Sequence, residues 1–164
     1  MIYFTSDTHF GHSNVIKYCN RPYADVAEMN QVLTDRWNAR VKPGDTVYHL
    51  GDFAMGPVAE LDGHCDKLAG NIILVKGNHD RRKGRMLAAG FQEVVNELYL
   101  ELDGERLFLH HQPMLGDAWK DKADTHLCGH VHTEWASLGT IINVGVDMNN
   151  FEPKTLEELL TERT

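Results

Sequence analysis

Ile72-Ile73-Leu74-Val75-Lys76-Gly77-Asn78-His79-Asp80 decides how this 164-residue chain folds. Its first half is a run of Ile, Leu and Val, side chains that suit a buried strand. The run breaks at a glycine into three polar residues able to bind metals or move protons. In open α/β sheets, ligands sit beyond the carboxyl ends of the strands, where loops converge. The stretch therefore predicts a strand over 72–76 that delivers Asn78, His79 and Asp80 to a site.

Other apolar runs end the same way. Ile2–Thr5 leads into Asp7-Thr8-His9, and Thr46–Leu50 into Gly51-Asp52. Arg106–Leu109 exits into His110-His111-Gln112-Pro113, and a segment at 125–129 ends in Gly129-His130-Val131-His132. Between the first two runs, Val26, Met29, Leu33 and Trp37 recur at helical spacing behind Asp25, a good N-cap. A second helix is expected over about 57–68, with Val58, Leu61, Cys65 and Leu68 on one side, and a third after Asp80. The second half changes rhythm. Leu98, Leu100 and Leu102 alternate with polar positions before Asp103-Gly104, a strong hairpin signal. Segments 134–138 and 140–144 meet at Leu138-Gly139, and a short helix is expected near Leu156–Leu160. These elements predict a mixed α/β layered structure with two sheets. No repeat or linker interrupts it, so one domain is expected over 1–164.

Composition narrows the function. Sixteen basic and 24 acidic residues give a formal charge of −8, while 42% of residues are apolar and 24% charged. That is ordinary for a folded domain and wrong for a disordered one. A negative body gains no long-range attraction to duplex nucleic acid or an anionic membrane, so neither partner is expected. Cys19, Cys65 and Cys128 are odd in number and widely spaced, which fits reduced thiols in a cytoplasmic chain. No apolar run approaches the roughly 18 residues of a membrane span.

The ten histidines are the anomaly. Imidazole, carboxylate and amide ligands suit manganese, iron, cobalt, nickel or zinc better than calcium. The strand exits offer seven candidate ligands, too many for one tetrahedral ion and enough for two ions sharing a carboxylate. Two metals about 3.5–4 Å apart clamp an in-line displacement at phosphorus. Glycines beside Asp52, Asn78 and His130 permit tight turns.

In order, Asp7-x-His9, Gly51-Asp52, Gly77-Asn78-His79-Asp80, a histidine at 110 or 111, and Gly129-His130-x-His132 resemble the signature of the calcineurin-like metallophosphoesterases. The surroundings, including Tyr3 to His12 and Asn143-Val144-Gly145-Val146-Asp147, are similar to small bacterial and phage members without a cap domain. The resemblance implies a four-layer α/β/β/α sandwich with two mixed sheets and a dinuclear site at the strand ends. It implies that Asp7, His9 and His132 hold one ion, Asp52 bridges, and Asn78, His130 and His111 hold the other, with His110 the alternative to His111. Two divalent transition metals are implied, manganese first, with zinc, iron, nickel or cobalt as alternatives. His79 resembles the non-ligand histidine that protonates the leaving alkoxide, with Asp80 fixing its orientation. A metal-bridging hydroxide attacks phosphorus in this scheme.

His12 and Arg81 are substrate-binding candidates, against plainer roles as a loop residue and a solvated charge. The run Arg81, Arg82, Lys83 and Arg85 opposes a helix dipole, a cost that attraction of a phosphate would offset. Trp119 is a candidate for the pocket wall or for the core. The expected activity is hydrolysis of a small or nucleotide-like phosphoester, diester or monoester. The alternatives are a nuclease acting on single strands or cyclic nucleotides, and a non-catalytic metal-binding interaction module on the same fold.

Overall fold

The computed structural model describes residues 1–162, apart from the side chain of Val58. In chain order, β1 is Ile2–Thr5, α1 Ser13–Tyr18, α2 Val26–Arg40, β2 Thr46–His49, α3 Val58–Cys65, β3 Asn71–Val75 and α4 Lys83–Ala88. The rest are β4 Glu93–Val95, β5 Glu97–Leu102, β6 Glu105–His110, β7 Thr125–Cys128, β8 Ser137–Leu138, β9 Ile141–Asn143 and α5 Leu156–Thr161.

Two sheets form, as the sequence predicts. The first has the order β1-β2-β3-β4 with every pairing parallel. The second has the order β5-β6-β7-β9-β8 and is mixed: β5 pairs with β6 and β8 with β9 antiparallel, while β6, β7 and β9 run parallel. The first sheet is parallel among its named strands, and an antiparallel bridge between Phe4 and Lys154 at the β1 edge makes it mixed there. In the first, each connection up to β4 carries a helix that crosses back over the sheet, which enforces parallel pairing. A bridge between Ser6 and Gly145 joins the sheets just past β1, so the polar exits of both face one another.

Packing explains the layers. α2 is capped by Asp25, whose carboxylate accepts the Glu28 N–H at 2.9 Å. A cap of this kind is worth about 1 kcal/mol. The helix buries Met29, Leu33 and Trp37 against Tyr3, Val47, Ile72 and Leu74 of the first sheet. Leu61 and Leu68 join the same core, with Cys65 packed beside it, while the side chain of Val58 lies outside the described residues. Phe4, Tyr48, Leu50 and Val75 meet Leu107, Leu109, Leu127 and Ile142 between the sheets, with α5 adding Leu156 and Leu159.

The outer face of the second sheet departs from the four-layer expectation. Among the described residues, no helix covers Phe108, Cys128 and Ile141; Trp119 and Ala123 from the 112–124 loop do so. The Trp119 indole donates to the Met114 carbonyl at 2.8 Å, and the residue is buried, so it belongs to the core. One large aromatic side chain thus caps this narrow face without a helix. No helix among the described residues is long and apolar enough to cross a membrane.

Candidate metal centre

The loops after β1, β2, β3, β6 and β7 converge. Asp7, His9, Asp52, His130 and His132 all adopt positive φ, between 45° and 71°. Such angles are uncommon for residues with a side chain and cluster at functional sites. Here they turn each ligand back over the strand ends. Glycines make the close approach possible: a Cβ on Gly77 would overlap the Asp52 carboxylate, and one on Gly129 would overlap the Ser6 hydroxyl and the Asp7 carboxylate.

Among the described residues, three groups of metal-capable side chains result, two built from the expected ligands and a third, Cys19, His132 and Asp147, sharing His132. The donor atoms of Asp7, His9 and His132 lie within 4.8 Å of one another, as do those of Asp52, His111 and His130. In the first, Asp7 Oδ1 is 3.9 Å from His9 Nε2 and 3.8 Å from His132 Nε2. Its other oxygen is occupied, accepting from the Ser6 hydroxyl and the His130 N–H. In the second, His111 Nε2 lies 3.4 Å from Asp52 Oδ2 and 3.0 Å from Asn78 Oδ1, and 3.3 Å from His130 Nδ1. Asp52 Oδ2 is also 3.7 Å from His9 Nε2, so it stands between the clusters. Asp52 Oδ1 accepts the His79 N–H at 2.9 Å.

The choice at 110 and 111 follows from the strand alternation. His111 is buried and its Nδ1 donates to the Leu50 carbonyl at 2.7 Å, which turns Nε2 toward Asp52 and Asn78. His110 points the other way, stacked on Phe108 and hydrogen-bonded to Gln112.

These donors suit cations. Asp7 Oδ1 and His9 Nε2 are buried without a hydrogen-bond partner, facing each other. Leaving such groups unsatisfied costs about 1–3 kcal/mol each, and a divalent ion between them satisfies both. Burial pushes the Asp7 carboxyl up and the His9 imidazole down to about 3, so His9 presents a neutral lone pair. Burial opposes charging of His132, but hydrogen bonds to Asp147 and Cys19 and the charge of Asp7 outweigh it and raise it to about 10. A site that draws a proton onto His132 this strongly is a site of negative potential.

His79 lies at the open side, its side chain 44% exposed and its Nε2 4.0 Å from Asp52 Oδ2. Asp80 does not orient it. Both Asp80 oxygens accept backbone N–H groups, from Asp52 and Gly77 on one and Phe53 on the other, all at 2.8–2.9 Å. Its carboxylate ties the β2 exit to the β3 exit, and the expected pairing with His79 gives way to this role. His12 sits at the start of α1 with its ring 5.2 Å from that of His9 and the two Nδ1 atoms 3.2 Å apart. Arg81 donates to the Gly56 carbonyl at 2.9 Å, away from both clusters. A cavity of about 650 Å³ nevertheless joins His12, Asn14, Met55, His79 and Arg81. A second, of about 530 Å³, reaches from His12 and His79 to His130, His132 and Tyr18.

Residues 1–146 match the calcineurin-like phosphoesterase superfamily domain. The chain belongs to that superfamily. A Methanocaldococcus jannaschii protein of undetermined function is 34% identical over 170 residues, covering 95% of this chain and 87% of its own length. The Gene 66 protein of Mycobacterium phage D29 is 30% identical over 159 residues, covering 80% and 78%. A crystal structure of an Aquifex aeolicus protein of unknown function superposes with a TM-score of 0.77 at 29% identity, covering 98% of both chains. Entamoeba histolytica Vps29, solved with zinc, shares the fold at a TM-score of 0.50 and 21% identity, covering 88% of this chain and 73% of its own. Calcineurin-like phosphoesterases are in general metal-dependent hydrolases of phosphate esters, and this member carries groups able to bind divalent ions.

Two residues of this calcineurin-like site had no role assigned from the sequence, although Asp147 lies in a stretch that carries the resemblance. Arg21 is buried and donates to Asp147, Asp7 and Thr8, and Asp147 accepts from His132. The signal for Asp147 was present: the apolar run Ile141–Val146 ends in an acid, as the other strand exits do. Arg21 carried no such signal.

Proposed function

We propose that this chain is a dinuclear metal-dependent phosphoesterase that hydrolyses small or nucleotide-like phosphate esters. The observation that carries the reading is Asp52 Oδ2, placed between His9 Nε2 and His111 Nε2 so that one carboxylate serves both clusters. Asp7, His9 and His132 hold one ion, and Asn78, His111 and His130 the other, with manganese the first choice. When bound, the two ions supply Lewis acidity, which lowers the pKa of a water nucleophile and draws charge from phosphoryl oxygens.

The chain's own residues position and exclude. Asp52 Oδ1 fixes the backbone of His79, and the exposed imidazole stands over the cleft. There His79 gives its proton to the leaving alkoxide, a role worth typically about 10²–10⁴-fold. His12 contacts the substrate from the α1 side, and Arg81 steers phosphate from the rim. The cleft is open, which suits small or flexible esters more than a gripped duplex.

Hydrolysis of bis-p-nitrophenyl phosphate and p-nitrophenyl phosphate by manganese-loaded protein tests this reading. Turnover of either that disappears on chelation and returns with the metal supports it; no turnover with any of the five candidate metals contradicts it and favours a binding module. The exposed Arg81 lining the cleft favours a second reading, cleavage of single-stranded or cyclic nucleotides. Comparing those substrates with the nitrophenyl esters separates the two.

A further inference from the structure

We propose that Arg21 and Asp147 are positioning residues dedicated to one cation site, that of Asp7, His9 and His132, and that this site can be emptied while the other stays filled. The proposal rests on the two-ion reading above but not on the reaction assigned to it.

Both side chains are almost wholly buried, at 0% and 1% exposure. The Arg21 guanidinium grips Asp147 with two prongs, Nε to Oδ1 at 2.8 Å and Nη2 to Oδ2 at 2.9 Å. Its remaining donors include Nη2 to the Asp7 carbonyl at 2.7 Å and Nη1 to the Thr8 carbonyl at 3.0 Å, on the backbone of the ligand loop, and Nη1 to the Met29 sulfur at 3.4 Å. Asp147 Oδ2 accepts from His132 Nδ1 at 2.8 Å. One planar group thereby touches both the ligand loop and the carboxylate that accepts from His132. It holds the turn in which Asp7 and His9 take positive φ, and through Asp147 it sets the ring of His132.

The chemistry of that ring decides the matter. A histidine binds a metal through one nitrogen only if the other carries the proton, and a carboxylate or carbonyl that accepts from the other nitrogen fixes this tautomer. Asp147 places the proton on Nδ1 and aims the Nε2 lone pair at Asp7 Oδ1. Arg21 keeps Asp147 aimed at the ring, because a bidentate guanidinium fixes carboxylate orientation in a way an ammonium cannot. The second cluster has its own fixings: Leu50 oxygen sets His111, and Asp80 binds the loops of Asp52 and Gly77. Among the described residues, neither Arg21 nor Asp147 forms a hydrogen bond to that cluster. The His130 N–H on Asp7 Oδ2 links the two sites without involving either residue.

The test counts metal. Wild-type protein, Arg21→Lys and Asp147→Asn are stripped and titrated with Mn²⁺ by calorimetry, with bound metal measured after gel filtration and folding followed by circular dichroism. Wild-type protein takes up two ions. Each folded variant is expected to hold one ion with unchanged affinity and to bind the second about 10–100-fold more weakly, the usual effect of removing an outer partner of a ligand. Two ions bound with wild-type affinities overturn the proposal, and so does an equal loss at both sites. Wild-type uptake of fewer than two ions overturns the two-ion reading, and the proposal with it. Should both variants fail to fold, the wild-type protein still decides. With diamagnetic zinc bound, nitrogen-15 spectra of the imidazoles must show His132 protonated at Nδ1; protonation at Nε2 overturns the assignment.

Discussion

His111 Nε2 lies 3.4 Å from Asp52 Oδ2, while its Nδ1 donates to the Leu50 carbonyl at 2.7 Å. The neighbouring His110 shares none of this, being stacked on Phe108. His111→Ala should therefore cost one bound ion and nearly all phosphoesterase turnover. His110→Ala should keep both ions and stay within a few-fold of wild-type turnover. Metal analysis of the two variants side by side checks this, and loss of an ion from His110→Ala would reverse the assignment.

Asp80 and His79 adjoin in sequence but act separately. Asp80 accepts three buried backbone N–H groups, and an amide at this position offers only one good acceptor oxygen. Asp80→Asn should destabilise the fold by about 1–3 kcal/mol for each donor left unsatisfied. His79, half-exposed, has no such duty. His79→Asn should unfold within about 0.5 kcal/mol of wild type yet lose about 10²–10⁴-fold in turnover on esters with poor leaving groups. Chemical denaturation read beside kinetics separates them. A His79→Asn variant that turns over such esters at the wild-type rate would remove His79 from catalysis.

Gly129 has no room for a side chain, since a Cβ would meet the Ser6 hydroxyl and the Asp7 carboxylate. Overpacking of this kind costs about 1–3 kcal/mol. Displacement of Asp7 should weaken the ion held with His9 and His132 more than the other. Thermal melts and metal titration of Gly129→Ala test this; wild-type metal affinity at both sites would contradict it. Gly116, with open space around it and no positive φ, serves as a control for the glycine-to-alanine change alone.

Two buried histidines outside the ligand set, His126 and His49, set an acid limb on stability. His126 donates from Nδ1 to the Phe108 carbonyl, and its Nε2 accepts the Met114 N–H at 3.1 Å, so it must be neutral. Burial lowers it to about 4, and lowers His49 to about 3. Both folded values lie below the ordinary 6.5. Below pH 6.5 the unfolded chain binds protons that the folded chain refuses, so stability falls as pH falls toward 4. The slope is about 1.4 kcal/mol per pH unit for each histidine. His132 in the metal-free chain runs the other way: raised to about 10, its contribution is present below 6.5 and lost as pH rises toward 10. The stability of stripped protein, read by chemical denaturation, should thus peak near pH 6.5. His126→Gln should flatten the acid limb; an unchanged slope would contradict the assignment.

The strands and their polar exits could be read because each combines two local signals, an apolar run and a ligand-type residue after it. Those signals placed Asp7, His9, Asp52, Asn78, His130 and His132 at one end of the sheets without any long-range information. What escaped is what local pattern does not encode. α1 is six residues with a single buried side chain, Val15, and β4 is only three residues long. The 112–124 loop substitutes for a helix layer through one buried indole. Arg21 carries no local signal, because its partner Asp147 lies 126 residues away. Asp80 reads as the partner of the adjacent histidine, although its acceptors are spent on backbone that only the fold brings near.

The most direct measurement is a joint titration of metal-free protein with Mn²⁺, following bound ions and hydrolysis of bis-p-nitrophenyl phosphate in the same samples. A dinuclear site bridged by Asp52 predicts little turnover up to one equivalent, a rise with the second, and no second phase in Asp52→Asn. Full turnover at one equivalent, or none at two, would contradict it.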